Sequence, residues 1–259
     1  MISLAAIQYF AVGDNAVFWE PEPEIMKAVI MAGGLGERLR PLTQIFPKPL
    51  LPVGNRSVLQ IQIDNLRERG ATDIYLALGY KHELFEFYFG DGSRWGVKIH
   101  YSVENKPLGT AGPLTLLHDR LDEPFLVING DILTNLDYDE LRRAHGTHGA
   151  DITVATKVIT FPLQYGVIHY SADDIVDIEE KPSLCAEINA GIYFMNPEVI
   201  DLIPRGTSFS MDQLLKKMIA GGQKVARFLM SDHWLDIGQM SDFEKANDFV
   251  ERHRLVLEK

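Results

Sequence analysis

From Met26 onward, short apolar runs alternate with amphipathic stretches. Lys27–Ala32 is an apolar run ended by glycines, the pattern of a buried strand. Ser57–Gly70 carries Val58, Leu59, Ile61, Ile63 and Leu66 and then a Gly stop, which predicts a helix. Asp73–Leu78 predicts the next strand, His82–Phe89 a helix, and Val97–Val103 a strand by its alternation. Gly112–Leu121 predicts a helix, Phe125–Ile128 a buried strand closed by Asn129-Gly130-Asp131, and Leu136–Ala144 another helix. Strands that alternate with helices in this way indicate an α/β domain with a parallel sheet.

The second half is richer in strands, over Asp151–Val158, Gly166–Tyr170 and Ala190–Met195. Two helices then carry capping-box signatures. Ser210-Met-Asp-Gln213 opens Met211–Ala220, and Ser241-Asp-Phe-Glu244 opens the C-terminal helix. Residues 1–25 read differently. They end in Trp19-Glu20-Pro21-Glu22-Pro23-Glu24, a linker-like string. This N-terminal extension is either a poorly ordered leader or an arm that packs on the domain or on a partner subunit. The domain proper is expected over 26–259.

Composition narrows the function classes. Lys and Arg number 25 against 36 Asp and Glu, a formal net charge of −11. Such a chain is expected to bind neither nucleic acid nor an anionic membrane surface. An anionic small substrate remains open, provided a local basic cluster or a metal ion receives it. The single cysteine, Cys185, excludes an internal disulfide and a cysteine-rich zinc site. No stretch approaches the roughly 20 apolar residues of a membrane span. Met1–Gly13 has no Lys or Arg and so lacks the n-region of a signal peptide. A cytoplasmic location is the expectation. His145-Gly-Thr-His148 reads as a solvated turn rather than a metal pair, and Phe85, Phe87, Tyr88 and Phe89 read as packing.

The most informative segment is Ala32-Gly-Gly-Leu-Gly-Glu-Arg-Leu-Arg-Pro-Leu-Thr43, continuing to Phe46-Pro-Lys-Pro-Leu-Leu-Pro-Val53. Glycines directly after a strand let backbone N–H groups approach phosphates. Arg38 and Lys48 supply the positive charge that the chain as a whole lacks, Arg as a bidentate donor and Lys as a point charge. The prolines around Lys48 restrain its backbone. A Walker A loop is absent, and the dinucleotide fingerprint fails because Leu39 stands where its third glycine belongs.

This segment resembles the signature of sugar-1-phosphate nucleotidylyltransferases. The resemblance continues through most of 26–250. It includes Pro107-Leu-Gly-Thr-Ala-Gly112, Asn129-Gly-Asp131, Tyr165-Gly-Val-Ile168, Glu180-Lys-Pro182, Asn189-Ala-Gly-Ile-Tyr193 and Trp234-Leu-Asp-Ile-Gly238, in the family's order. It implies a Rossmann-like mixed, mostly parallel sheet flanked by helices, with a nucleotide-binding first half and a strand-rich sugar-binding second half. It also implies transfer of a nucleotidyl group from an NTP to a sugar 1-phosphate, with release of pyrophosphate, and a homo-oligomer.

Residue by residue, the resemblance implies that Ala32, Gly33, Gly34 and Gly36 wrap the nucleotide. Arg38 then holds the triphosphate and Lys48 stands near the reacting phosphates. Asp131 and Asp236 match the carboxylates that hold Mg²⁺. Asp131 follows an apolar strand, where open α/β sheets place ligands; alone it reads equally as a turn residue after Gly130, and Asp236 as a surface turn before Gly238. Glu104, Pro107, Gly109 and Thr110 fall on the base-recognition loop. Gly166, Glu180, Lys181, Asn189 and Gly191 fall on the sugar-phosphate pocket.

The loop Pro107–Pro113 looks more like that of guanylyltransferases acting on mannose, heptose or amino-sugar 1-phosphates, so GTP is favoured. A UTP- or dTTP-dependent glucose-1-phosphate enzyme stays open, as does a non-catalytic regulatory paralogue that binds nucleotide sugar. Many mannose enzymes carry a C-terminal extension. This chain stops after the helix beginning at Ser241 and resembles the short heptose-type members in build.

Overall fold

A computed structural model describes residues 26–252. The extension expected over 1–25 lies outside the described residues. The fold starts from strand β1 (Met26–Met31), whose alternate side chains enter two separate cores. Ala28 and Ile30 join one with Ile74, Leu76, Leu126 and Ile128. Val29 joins the other with Tyr75, Phe125 and Val127. A strand buried on both faces belongs inside a parallel sheet covered by helices on each side.

After β1 come the one-turn helix α1 (Leu42–Ile45) and the short strands β2 (Pro52–Val53) and β3 (Arg56–Ser57). They are followed by α2 (Val58–Glu68), β4 (Ala71–Leu78), α3 (His82–Phe89), β5 (Lys98–Val103), β6 (Phe125–Asn129) and β7 (Ile132–Thr134). Next are α4 (Tyr138–His148), β8 (Ile152–Pro162), β9 (Val167–Ser171), β10 (Asp174–Glu179) and β11 (Ser183–Met195). The described chain closes with α5 (Met211–Ala220), β12 (Val225–Leu229), β13 (Trp234–Asp236) and α6 (Met240–Arg252). The main sheet has seven strands in the order β12-β8-β11-β6-β1-β4-β5. All its neighbours run parallel except at β11, which is antiparallel to both β6 and β8. The mixed, mostly parallel α/β sheet is therefore as expected. Among the described residues no helix is long and apolar enough to cross a membrane.

Several boundaries differ from the sequence reading. Gly112–Leu117 is a 3-10 helix rather than the start of an α-helix reaching Leu121. Thr115 Oγ1 donates to the Gly112 carbonyl at 2.7 Å and so competes for an acceptor of the first turn. The buried pair Leu114 and Leu117, three apart, suits a helix of three residues per turn. α4 starts at Tyr138, capped by Asp137, and runs past Gly146 to His148. His145 is therefore not in a solvated turn. It is buried, with Nδ1 on Thr153 Oγ1 at 2.9 Å and Nε2 on Asn196 Oδ1 at 3.0 Å. α5 opens at Ser210 as read, with the Ser210 N–H donating to Gln213 Oε1 at 2.9 Å. α6 opens one residue before Ser241, and Asp242 Oδ2 accepts the Gln239 N–H at 3.2 Å in place of the expected Glu244.

The far ends of β8 and β11, with the β9–β10 hairpin, form an arm beyond the sheet. Its apolar side chains are exposed, among them Phe161, Tyr165, Tyr170, Ile175 and Ile178. Two faces of one packing rule follow from this fold. Leu66, fully buried on α2, should cost about 2–5 kcal/mol on replacement by Ala. Leu116, half-exposed, should cost less than about 0.5 kcal/mol on the same change. Urea unfolding of Leu66→Ala and Leu116→Ala measures both, and equal losses would contradict the burial assigned here.

Candidate active site

The carboxyl ends of β1, β4, β5 and β6 point to one side of the sheet, the side on which open α/β sheets bind ligands. Two adjoining cavities of about 600 and 580 Å³ open there. They share Met31, Gly34, Leu35 and Asp131.

The glycine loop leaves β1 and turns at Gly36, whose φ of 62° is left-handed. A Cβ there would lie 2.8 Å from Thr43 Cγ2 and 3.3 Å from Lys48 Cβ. Thr43 Oγ1 donates to the Gly36 carbonyl at 2.8 Å, tying the loop to the helix that follows it. Leu39 anchors the loop in a third apolar cluster with Leu51, Val53, Leu133 and Ile237. Lys48 stands in a 3-10 turn between Pro47 and the buried Pro49. These contacts aim Lys48 inward, and its side chain is only 11% exposed.

Asp131 and Asp236 are brought together by the short antiparallel ladder of β7 and β13, in which Asp236 pairs with Ile132. The Ile237 N–H donates to the Asp131 carbonyl at 3.0 Å and extends the ladder by one bond. Lys48 Nζ lies 2.5 Å from Asp131 Oδ2 and 3.8 Å from Asp236 Oδ1. The Asp236 side chain is half-exposed as a whole, yet its Oδ1 is buried and accepts no hydrogen bond. Burial first, and then the charge of Asp131, raise the Asp236 carboxyl above its ordinary value; Lys48 and Arg38 oppose this in part. Arg38 is exposed at the cavity wall. A Cβ on Gly238 would lie 3.7 Å from both an Arg38 guanidinium nitrogen and Asp236 Oδ2.

The second cavity is lined by Gly33, Glu104, Pro107, Gly109 and Thr110. Glu104 Oε2 accepts the Leu108 N–H at 2.9 Å, and burial raises this carboxyl above its ordinary value. Its Oε1 fills the gap over Gly33 and Gly79, where a Cβ would meet it at 3.1 and 3.0 Å. Gly109, at φ 80°, packs against the Phe209 backbone, and Thr110 Oγ1 accepts the Met211 N–H at 2.8 Å. Loop and cavity wall are thus tied to the start of α5.

Asn189 and Gly191 lie beside this cavity. Asn189 Oδ1 accepts the Gly191 N–H at 2.9 Å, and a Cβ on Gly191 would meet Asn129 Nδ2, a lining residue, at 2.6 Å. Gly166, Glu180 and Lys181 sit on the exposed arm and line neither cavity. Gly166 abuts Glu180, whose Oε2 would lie 3.0 Å from a Cβ there. The sequence reading gave no role to Tyr80, Asn105, Lys106 or Asn129, all in the second cavity, although Asn129 stood in the Asn129-Gly-Asp131 block. Asn129 is the last residue of β6 and Tyr80 follows β4 just after Gly79, so position at or just past a strand end was the available signal. Among the described residues no group of three or more His, Cys, Asp or Glu is arranged to hold a metal by itself.

The family model described as nucleotidyl transferase matches residues 27–253. The mannose-1-phosphate guanyltransferase of Saccharomyces cerevisiae is 39% identical over 84% of this chain and 63% of its own length. That of Candida albicans is 40% identical over 84% of this chain and 62% of its own. The chain spans less than two thirds of these relatives. Among solved structures, HddC from Yersinia pseudotuberculosis matches with a TM-score of 0.70 at 27% identity, over 87% of this chain and 99% of that one. HddC has also been solved in complex with GMP-PN.

A carboxyl raised in the folded state binds more protons there than in the unfolded chain. Its stabilising effect is then present at low pH and is lost as pH rises through the window above the unfolded value. With divalent cations absent, Asp236→Asn should therefore melt above the wild type near neutral pH, and the gap should close on acidification. Thermal melts across that pH range measure it. A wild type that melts higher at neutral pH would mean that the contact with Lys48 outweighs burial and repulsion.

Proposed function

The chain belongs to the nucleotidyl transferase family, and from that premise we propose that it transfers GMP from GTP to a sugar 1-phosphate and releases pyrophosphate. The carrying observation is the convergence of Lys48, Asp131 and Asp236 beneath the glycine loop. The relatives named for mannose 1-phosphate and guanylyl transfer, at 39% and 40% identity, favour those substrates here.

In this reading an oxygen of the sugar phosphate attacks the α-phosphorus in line. A new phosphorus–oxygen bond forms as the bond to the bridging oxygen breaks, and the electron pair leaves with pyrophosphate. The protein positions the reactants and stabilises charge. Backbone N–H groups of Gly33, Gly34 and Gly36 receive the phosphates, which the left-handed Gly36 leaves room for, while Ala32, whose own N–H donates to the Ala77 carbonyl at 2.8 Å, holds the start of the loop to β4. Lys48, held by two prolines and Asp131, offers a fixed positive charge at the reacting phosphate. Arg38, at the outer wall, takes the pyrophosphate side.

The donor set fits Mg²⁺. Two carboxylates converge, one with a buried oxygen that accepts no hydrogen bond, and a hard cation accepts one or two carboxylates while phosphate oxygens and waters complete its shell. Asp131 and Asp236 would hold it, and when bound it would polarise phosphoryl oxygens as a Lewis acid. Glu104, Pro107, Gly109 and Thr110 shape the base side, with Glu104 fixing the loop through Leu108. Gly166, Asn189 and Gly191 serve the sugar, and Glu180 and Lys181 of the arm contact the sugar and its phosphate.

The test is pyrophosphate release from GTP, UTP, dTTP and CTP against a panel of sugar 1-phosphates, with and without Mg²⁺. Strong release with GTP and mannose 1-phosphate, dependent on Mg²⁺, is expected. Another strong pair would revise the substrates, and silence with retained nucleotide binding would favour a regulatory paralogue. Lys48→Ala should lower kcat about 10²- to 10³-fold, as loss of a charge-stabilising donor does. Asp131→Asn should do so at least as strongly, with the fold intact by circular dichroism. Turnover near that of the wild type in either variant would remove that residue from the chemistry.

A further inference from the structure

Gln62 is an amide buried to 2% exposure on α2, whose other buried residues, Val58, Leu59, Ile61, Ile63 and Leu66, are all apolar. Its Nε2 donates to the Asn129 carbonyl at 2.9 Å and to the Ile132 carbonyl at 2.8 Å. Those two carbonyls flank Gly130 and Asp131. The turn between β6 and β7 is thus bridged from one side to the other by a single side chain. Its backbone ties elsewhere are the Gly130 N–H on the Met31 carbonyl at 2.9 Å and the Asp131 carbonyl on the Ile237 N–H at 3.0 Å.

The amide is kept at a cost. Gln62 Oε1 is buried and accepts no hydrogen bond. A buried polar atom without a partner destabilises the fold, and an apolar residue of similar size would avoid it. What the apolar residue lacks is a pair of donors. Neutral Gln supplies them where a carboxylate would face two carbonyl oxygens.

We propose that Gln62 is a positioning residue for Asp131. By closing the Asn129–Ile132 turn it sets where the Asp131 carboxylate stands relative to Lys48 and Asp236, and so tunes cation affinity and turnover. This inference rests on the nucleotidyl-transfer reading above. Asn65, one turn along the same helix, is the internal control. Its Nδ2 donates to the Thr134 carbonyl at 2.9 Å, beyond the turn.

The experiment compares wild type, Gln62→Leu, Gln62→Glu and Asn65→Leu. The readouts are Mn²⁺ binding by electron paramagnetic resonance with a non-hydrolysable GTP analogue, kcat and KM for GTP, and melting temperature. Both Gln62 variants should lose about tenfold or more in Mn²⁺ affinity and in kcat, the scale of outer-shell changes at metal sites. Their KM for GTP should stay within about threefold, since binding made equally before and during reaction is untouched. Asn65→Leu should melt lower while keeping Mn²⁺ affinity and kcat. If Gln62→Leu does not fold, Gln62→Glu, nearly identical in shape, carries the comparison. A folded Gln62 variant that binds Mn²⁺ as the wild type does would overturn the inference, and so would an Asn65→Leu that loses as much. A wild type that neither binds Mn²⁺ with nucleotide nor releases pyrophosphate would instead overturn the nucleotidyl-transfer reading, and this inference with it.

Discussion

Two carboxylates held side by side across a short ladder, with one ammonium between them, is the arrangement on which this molecule turns. Asp131 and Asp236 repel each other, and Asp236 is also partly taken out of water. Lys48 offsets both effects through its close contact with Asp131 and a longer one with Asp236. Arg38 adds a further opposing charge near Asp236, yet the buried Asp236 Oδ1 is left without a hydrogen bond. A site that holds two repelling carboxylates, one with a buried oxygen that lacks a hydrogen bond, is prepared for a further positive ligand, at the expense of folded stability.

That arrangement survives because the surrounding structure over-determines it. β1, β4, β6 and β11 separate two large cores and bring their ends to one side. A third, smaller cluster does more for the site. Leu39 from the glycine loop, Leu51 and Val53 beyond Lys48, Leu133 beside Asp131 and Ile237 beside Asp236 pack together. Three stretches of chain that carry charge are thus locked to one another by apolar contact rather than by the charges themselves. Hydrophobic contact does not depend on protonation and is not screened as charge pairs are, so it holds the geometry through changes of charge at the site.

The arm is built on the opposite principle. Its strands pair through backbone hydrogen bonds, but their apolar side chains remain in solvent. A hairpin with so little burial has low local stability and can adjust independently of the sheet. The residues matched to the sugar phosphate divide along this line, with Asn189 and Gly191 on the rigid part and Gly166, Glu180 and Lys181 on the arm.

Much of this was legible in the sequence because it is written locally. Apolar periodicity marked β1, α2, β4, α3, β6 and α5 nearly to the residue, since those elements bury whole faces. The glycines, prolines and basic residues of the loop announced phosphate chemistry through backbone freedom and charge at fixed offsets. Spacing could not separate a 3-10 helix from an α-helix at Gly112–Leu117, because apolar residues three apart suit both. β10, wholly exposed, had no buried face to mark it. The three-residue strands β7 and β13 left no periodic trace, because their stability comes from a partner about a hundred positions away. Only the tertiary structure decided that Asp131 and Asp236 share one ladder, that Lys48 stands between them, and that Gln62 closes the turn. Those are long-range contacts, and no local pattern encodes the distance between residues that the fold alone brings together.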